Sequence, residues 1–416
     1  MGRSPRRGGG KPPISGETAG NGLNRKTTRA DERVRAHREG DPNMTIINSL
    51  GRAAAAAFVA AGVLAAPALA DPDAALAELQ SEVLSKGPNG ETATPAAELS
   101  LSDEELTQIR DMNATAAIVM HYGGNDWSRA QVEGLRNRFD EMGIEVIAVT
   151  DAGFKPEKQV ADIETVLAQQ PDIIVSVPTD PAATASAYKA AADAGVTLVF
   201  MENTPPGLEA GTDYVSVVSA DNYGNGVASA HLLAKALEGE GKVGLVYHAA
   251  DFFVTRQRYD AFKATVAEDY PGIEIVAEQG IGGPDFTGDA DKVASAMLTS
   301  NPDLDAIWAV WDVPAEGVIS AARVAGRDDL VITTIDLGEN VAINMAQGGF
   351  VKGLGAQRPF DQGVAEATLA GYGLLDKEAP AFVALPALPV TRETLLDAWQ
   401  TVYRADATAN IQNSMN

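Results

Sequence analysis

Between residues 116 and 356 the sequence alternates short apolar runs with amphipathic stretches ten times over, and no other property narrows the fold as far. AAIVM at 116–120 is short, apolar and partly β-branched, as a strand buried on both faces must be. The stretch 132–143 spaces Val132, Leu135, Phe139 and Met142 along one helical face and ends on a glycine. Further strands read at 145–150, 172–177, 197–201 and 214–219, and a second series at 242–247, 274–279, 306–310, 331–335 and 351–356. Helical patterns such as 155–169, 182–194 and 285–299 separate them. Repeated β-α-β order predicts parallel sheets covered on both faces. Two runs of five predict an α/β protein with two doubly wound parallel-sheet lobes joined by a hinge, the first crossing falling at 220–223.

The rest of the chain divides as follows. Residues 1–43 are Gly-, Arg- and Pro-rich without apolar periodicity and read as a disordered upstream extension. Met44 opens a new pattern: a short segment with one basic residue, an apolar run at 53–66, then PALA before Asp71. That is a signal peptide with cleavage after Ala70, because a membrane span needs about 20 apolar residues. Export to the periplasm is expected. Cysteine is absent, so neither a disulfide nor a lipid on a cysteine can form. Residues 71–113 read as a helical extension with a linker at 87–95 and a capping pattern, Ser102 with Glu105. The first lobe is assigned 114–221 with about 358–381, the second 222–357 with about 382–396, and 397–416 a C-terminal tail. Residues 1–70 hold 11 of the 32 basic and 5 of the 57 acidic side chains, which leaves a net charge of −31 on 71–416. Such a charge argues against nucleic acid or an anionic membrane as partner.

In open parallel sheets ligands bind beyond the carboxyl ends of the strands. The side chains there are Asn125 and Trp127 after the first strand, and Glu202 and Asn203 after 197–201. His248, Phe252, Phe253 and Arg258 follow 242–247, Trp311 and Asp312 follow 306–310, Asp336 follows 331–335 and Gln357 follows 351–356. Aromatic faces beside planar hydrogen-bonding groups suit a sugar or polyol, whose C–H faces pack on rings and whose hydroxyls pair with Asp, Asn and Arg.

With those residues the sequence resembles the type I periplasmic binding proteins, in particular the ribose-binding-like sugar group that serves ABC importers. The resemblance runs from about 114 to 395. It rests on the order of the N-D-W loop, PTDPAA, FMEN, SADNYGNG, RQRYDAF, Asp285–Phe286, AIWAVWD, TTID and GLGAQ. It implies ligand contacts from Asn125, Trp127, Arg258, Phe286, Asp336 and Gln357, with Asp312 beside them. It also places Glu202 and Asn203 where the family usually has an Asp-Arg pair, and Trp311 where an Asn is common. It further implies a monomer that hands a sugar or polyol to an ABC permease with its ATPase. The alternative is a sensor presenting its closed form to a chemoreceptor or histidine kinase.

Other chemistries find little footing. GNGVAS at 224–229 lacks the third glycine and the later acid of a dinucleotide fingerprint, so its glycines are expected to allow close helix packing. No Walker A, G-x-S-x-G or H-E-x-x-H pattern occurs, and the four histidines (37, 121, 231, 248) have no metal spacing. No enzyme, cofactor or metal is expected. Phe252, Phe253, His121 and His248 remain open between cleft and packing.

Overall fold

The structure, a computed structural model, describes residues 71–416; the expected upstream extension (1–43) and signal segment (44–70) lie outside them. The first sheet comprises β1 (Thr94–Pro95), β2 (Thr115–Met120), β3 (Glu145–Asp151), β4 (Ile173–Ser176), β5 (Thr197–Met201), β6 (Ser216–Ala220) and β12 (Phe382–Leu385). The second comprises β7 (Glu240–His248), β8 (Gly272–Ile281), β9 (Ala306–Ala309), β10 (Val331–Ile335), β11 (Val351–Ala356) and β13 (Leu388–Val390). Strand orders are β1-β12-β6-β5-β4-β2-β3 and β13-β11-β10-β9-β7-β8, and every pair is parallel except β11 with β13. Buried central strands such as IIVS (β4) and VITTI (β10) explain why apolar runs, rather than alternation, mark them in the sequence.

Helices cover the faces: α1 (Pro72–Glu78), α2 (Asp103–Met112), α3 (Asp126–Met142), α4 (Pro156–Leu167), α5 (Pro181–Asp193), α6 (Asn222–Ala236) and α7 (Phe253–Asp269). They continue as α8 (Phe286–Ser300), α9 (Asp312–Ala325), α10 (Glu339–Ala346), α11 (Pro359–Leu374), α12 (Leu395–Tyr403) and α13 (Ala409–Ser414). None of the described helices is long and apolar enough to cross a membrane. Three crossings connect the lobes, after β6, after β11 and after β12. A side chain at Gly226 would lie 2.5 Å from the Arg258 carbonyl oxygen and 2.8 Å from Ala261 Cβ, so this glycine lets α6 close on α7. That contact accounts for the second glycine of the GNG run; at the first, Gly224, a Cβ would come within 2.1 Å of the Asp221 carboxylate.

Two expected boundaries are corrected. Phe382–Leu385 belongs to the first sheet, because it pairs with β6 from Phe382↔Val217 to Leu385↔Ala220; the return to the second lobe comes only after Leu385. Residues 397–416 are not a tail either. Leu395, Ala398, Trp399, Val402 and Ile411 are buried in the second lobe's core, where exposure to water would forfeit their apolar contacts.

The extension 71–113 spans both lobes. Leu76 and Leu79 pack with Ala228 and Leu232 of α6, whereas Thr94–Pro95 pairs with β12 of the first sheet. Between them lies a strap over the first crossing. The Leu84 and Ser85 backbone N–H groups donate to the Asp221 carboxylate at 2.9 Å, and the Ser85 hydroxyl donates to it at 2.8 Å. Asp221, fully buried, also accepts the Gly224 N–H at 2.8 Å and so caps α6. The Ser102–Glu105 capping box forms at α2 as its sequence predicts.

Candidate functional site

Each lobe ends one strand in a left-handed residue. Glu202 after β5 has φ 65° and Asp336 after β10 has φ 70°, a region that costs non-glycine residues energy and recurs at ligand sites. Both carboxylates thereby turn to the edge where the lobes face each other, and hydrogen bonds hold them. Ser219 Oγ donates to Glu202 Oε2 at 2.7 Å, Gln362 Nε2 to Oε1 at 2.7 Å and Asn222 Nδ2 to Oε2 at 3.2 Å. Burial pushes the Glu202 carboxyl above its usual range, opposed by the Ser219 hydrogen bond and the Arg258 charge. Asn222 then accepts from Arg258 Nε at 2.9 Å. Arg258 Nη1 donates to Asp336 Oδ2 at 3.0 Å and to the Val310 carbonyl at 3.3 Å. Gln357 Nε2 donates to Asp336 Oδ1 at 2.8 Å. One buried chain of polar groups therefore runs from the first lobe through the hinge into the second.

Glu366 lies behind it. Gln131 Nε2 donates to its Oε1 at 3.1 Å, and burial together with the Glu202 charge raises this carboxyl well above the usual range. Asp312 is pushed up to about 8 by burial, then by the Asp336 and Glu316 charges. Its Oδ1 accepts the Val313 N–H at 2.9 Å.

Rings form the second component. Phe286 lies 4.9 Å from Trp311 and 5.6 Å from His248, each pair edge to face. Phe154, from the turn after β3, reaches across to Phe286 at 5.4 Å, stacks on Tyr122 at 4.8 Å and meets His121 at 5.0 Å. The lobes also touch where the Glu339 N–H donates to Asp126 Oδ2 at 2.8 Å, and where Arg404 and Asp361 form a two-point ion pair at 2.6 and 2.7 Å. The conformation described is therefore one with the lobes closed on each other.

Glu202, Arg258, Asp336 and Gln357 share the polar chain, Asp312 adjoins it, and Phe286 and Trp311 share the ring cluster with His248. Phe252 reaches only His248, at 6.3 Å. Asn203 donates weakly to the Pro178 carbonyl at 3.5 Å, and its Oδ1 is buried without a partner in the chain. Two residues differ from expectation. Asn125 spends its Oδ1 on the Ser128 N–H at 2.9 Å as the cap of α3. Trp127, expected to offer its face to the ligand and to be covered on closure, is 8% exposed in this closed conformation but packs with the first lobe's core, its Nε1 buried without a partner. Position N2 of a helix whose apolar face covers β2 turns the indole inward.

Sequence reasoning missed Phe154, Asn222, Gln362 and Glu366. Phe154 carried a signal, an aromatic inside the Gly-Phe-Lys-Pro turn after a strand, held at φ 58°. Asn222 carried another, as the first residue past a lobe crossing. Gln362 and Glu366 sit inside a helix that reads as ordinary packing.

A family model described as a periplasmic binding protein domain matches residues 116–378. The chain belongs to that family. Among relatives, the D-ribose/D-allose-binding protein of Pseudomonas aeruginosa is 31% identical over 217 residues, 51% of this chain and 66% of that protein, so the alignment spans just under two thirds of it. An ABC sugar transporter subunit from Rhodobacter sphaeroides 2.4.1 is 26% identical with a TM-score of 0.60, covering 67% of this chain and 98% of that one. A solute-binding protein of Agrobacterium vitis, solved with α-D-tagatopyranose, shares the fold at 23% identity and a TM-score of 0.64, over 70% of this chain and 99% of that one. Residues 71–113, with the strap, precede the region that the family model matches.

Proposed function

We propose that this periplasmic binding protein captures a monosaccharide or polyol between its lobes and delivers it, unchanged, to an ABC permease. The observation that carries the reading is the buried chain Glu202–Asn222–Arg258–Asp336–Gln357, flanked by rings from both lobes. Planar hydrogen-bonding groups match vicinal hydroxyls, and rings match the C–H faces between them. Contacts drawn from both lobes are complete only when the lobes are closed, so the ligand favours closure by its differential affinity for that state. Closure in turn gives a membrane partner a surface that reports occupancy. The expected residence is the periplasm, reached by cleavage after Ala70, and mass spectrometry of the exported protein should find Asp71 at its N-terminus.

A thermal-shift screen of pentoses, hexoses and polyols, followed by calorimetry on the hits, tests the central claim. A specific ligand raises the melting temperature by mass action. Binding of none of these classes would overturn the reading, and a ligand recovered chemically altered would make the protein an enzyme.

A further inference from the structure

The hydrogen-bonding capacity left over in the cleft is unbalanced. Three acidic side chains, Glu202, Asp312 and Asp336, are buried there beside the single fully buried guanidinium of Arg258. Glu202 and Asp336 are each held by donors from the chain, as described above. Asp312 Oδ2 has no donor among the described residues and stands over the Gly338 backbone, where a Cβ would come within 2.1 Å of it. Asp126 Oδ2, from the opposite lobe, would lie 3.5 Å from that same Cβ. Arg358, the neighbouring guanidinium, is only partly buried, attracted by Asp361 and repelled by Arg404, and forms no ion pair of its own among the described residues; Arg129 pairs with Asp126.

The amides lean the same way. Gln357 gives its Nε2 to Asp336 and Gln362 gives its Nε2 to Glu202, and each keeps a buried carbonyl oxygen without a partner. Asn203 Oδ1 is a third such acceptor. Against them, among the described residues, stand Arg358 Nε, His121 Nδ1 and, deeper in the first lobe, Trp127 Nε1 without partners, and Arg258 Nη2 with no acceptor in the chain. A ligand that completes this site must bring donors to Asp312 Oδ2 and to these amide oxygens, beside three buried acidic side chains and one buried guanidinium.

We propose that the ligand is a polyhydroxylated ring or chain bearing one protonated amine, and that the ammonium pairs with Asp312. The inference rests on the sugar or polyol reading above and narrows it. An ammonium has three donors and no acceptor, so it satisfies Asp312 Oδ2 and still reaches neighbouring amide oxygens. A hydroxyl brings one donor and no charge. Without a cation, burial and the facing charges of Asp336 and Glu316 keep Asp312 protonated, with Arg258 the only opposing charge of consequence. An entering ammonium reverses that balance and ionises it.

Calorimetry on the mature protein with matched pairs tests the idea: D-glucose against 2-amino-2-deoxy-D-glucose, D-glucitol against 1-amino-1-deoxy-D-glucitol, and myo-inositol against an aminodeoxyinositol. In the pair that binds best, the amine is expected to bind about tenfold or more tighter. Asp312→Asn should erase that preference, the amine losing about tenfold more affinity than the hydroxyl member. Equal or tighter binding of the hydroxyl member, or an equal loss for both in the variant, overturns the proposal while leaving the sugar reading intact. If no member of any pair binds, that reading falls and the proposal with it. A second readout needs no variant: at pH 6.5, heats measured in buffers of different ionisation enthalpy should show close to one proton released per amine bound. No release from a protein whose free Asp312 titrates above pH 7 overturns the ammonium–Asp312 pair.

Discussion

Asp221→Ala should cut the strap. The carboxylate is fully buried at the first crossing and takes four donors, the N–H groups of Leu84, Ser85 and Gly224 and the Ser85 hydroxyl, all at 2.8–2.9 Å. The hydroxyl can fall back on Gln257 Oε1, 3.3 Å away. The three N–H groups have no such alternative, and a buried donor left unpaired costs about 1–3 kcal/mol. Removing a buried charge recovers a few kcal/mol of desolvation, roughly offsetting one of those losses. The net expectation is a loss of about 3–4 kcal/mol in urea unfolding followed by tryptophan fluorescence. Ser85→Ala, which deletes the hydroxyl and leaves the Tyr223 N–H without its 2.9 Å acceptor, should cost about 1–3 kcal/mol. Limited proteolysis should meanwhile find new cuts between residues 80 and 95 in Asp221→Ala. A loss below about 1 kcal/mol with that segment still protected would show that these bonds contribute nothing net.

Three further perturbations follow. Arg258→Ala removes the donors that link Asn222 to Asp336, and affinity should fall about tenfold or more in calorimetry on the folded variant; unchanged affinity would place the ligand elsewhere. Trp127→Ala should destabilise the protein by about 3–5 kcal/mol, since the indole is packed in the first lobe's core; near-wild-type unfolding with weakened binding would restore the stacking role expected from the sequence. Asp312, raised from 3.8 to about 8, takes up a proton on folding, so its contribution is full below the ordinary carboxylate range and is lost as pH rises through 8. The melting temperature of ligand-free Asp312→Asn should therefore gain on the wild type between pH 5 and pH 9, and a constant difference would mean that the carboxyl is ionised throughout.

The parallel strands were legible because burial on both faces leaves an unbroken apolar run, and their carboxyl ends then named Glu202, Arg258, Asp336 and Gln357 without any coordinates. β1 and β12 were not legible, because two and four residues carry no period and only the pairing Thr94↔Val383 makes them strands. The last helices were passed over for a related reason: the pattern of Leu395, Trp399 and Val402 is too short to stand out until a core receives it. Trp127 shows the limit of reading a site from position alone. The residue does follow a strand end, but as N2 of α3 its direction is set by the helix and not by the loop. Asn222 and Gln362 look like unremarkable polar residues until their amides are seen to grip Glu202.

The place of β12 also bears on when the protein can finish folding. It lies between β1 and β6, so the first sheet joins residues near 94 to residues near 383, and the second lobe's core waits for Ile411. Pairings between such distant segments are slow to form, because the chain entropy lost in closing the loop precedes any reward. A nascent chain is expected to stay threadable until its last tenth is made, which suits the export proposed above. A chain ending at Ala381 should be protease-sensitive throughout, and a resistant first lobe in it would show that the sheet closes without its late strand.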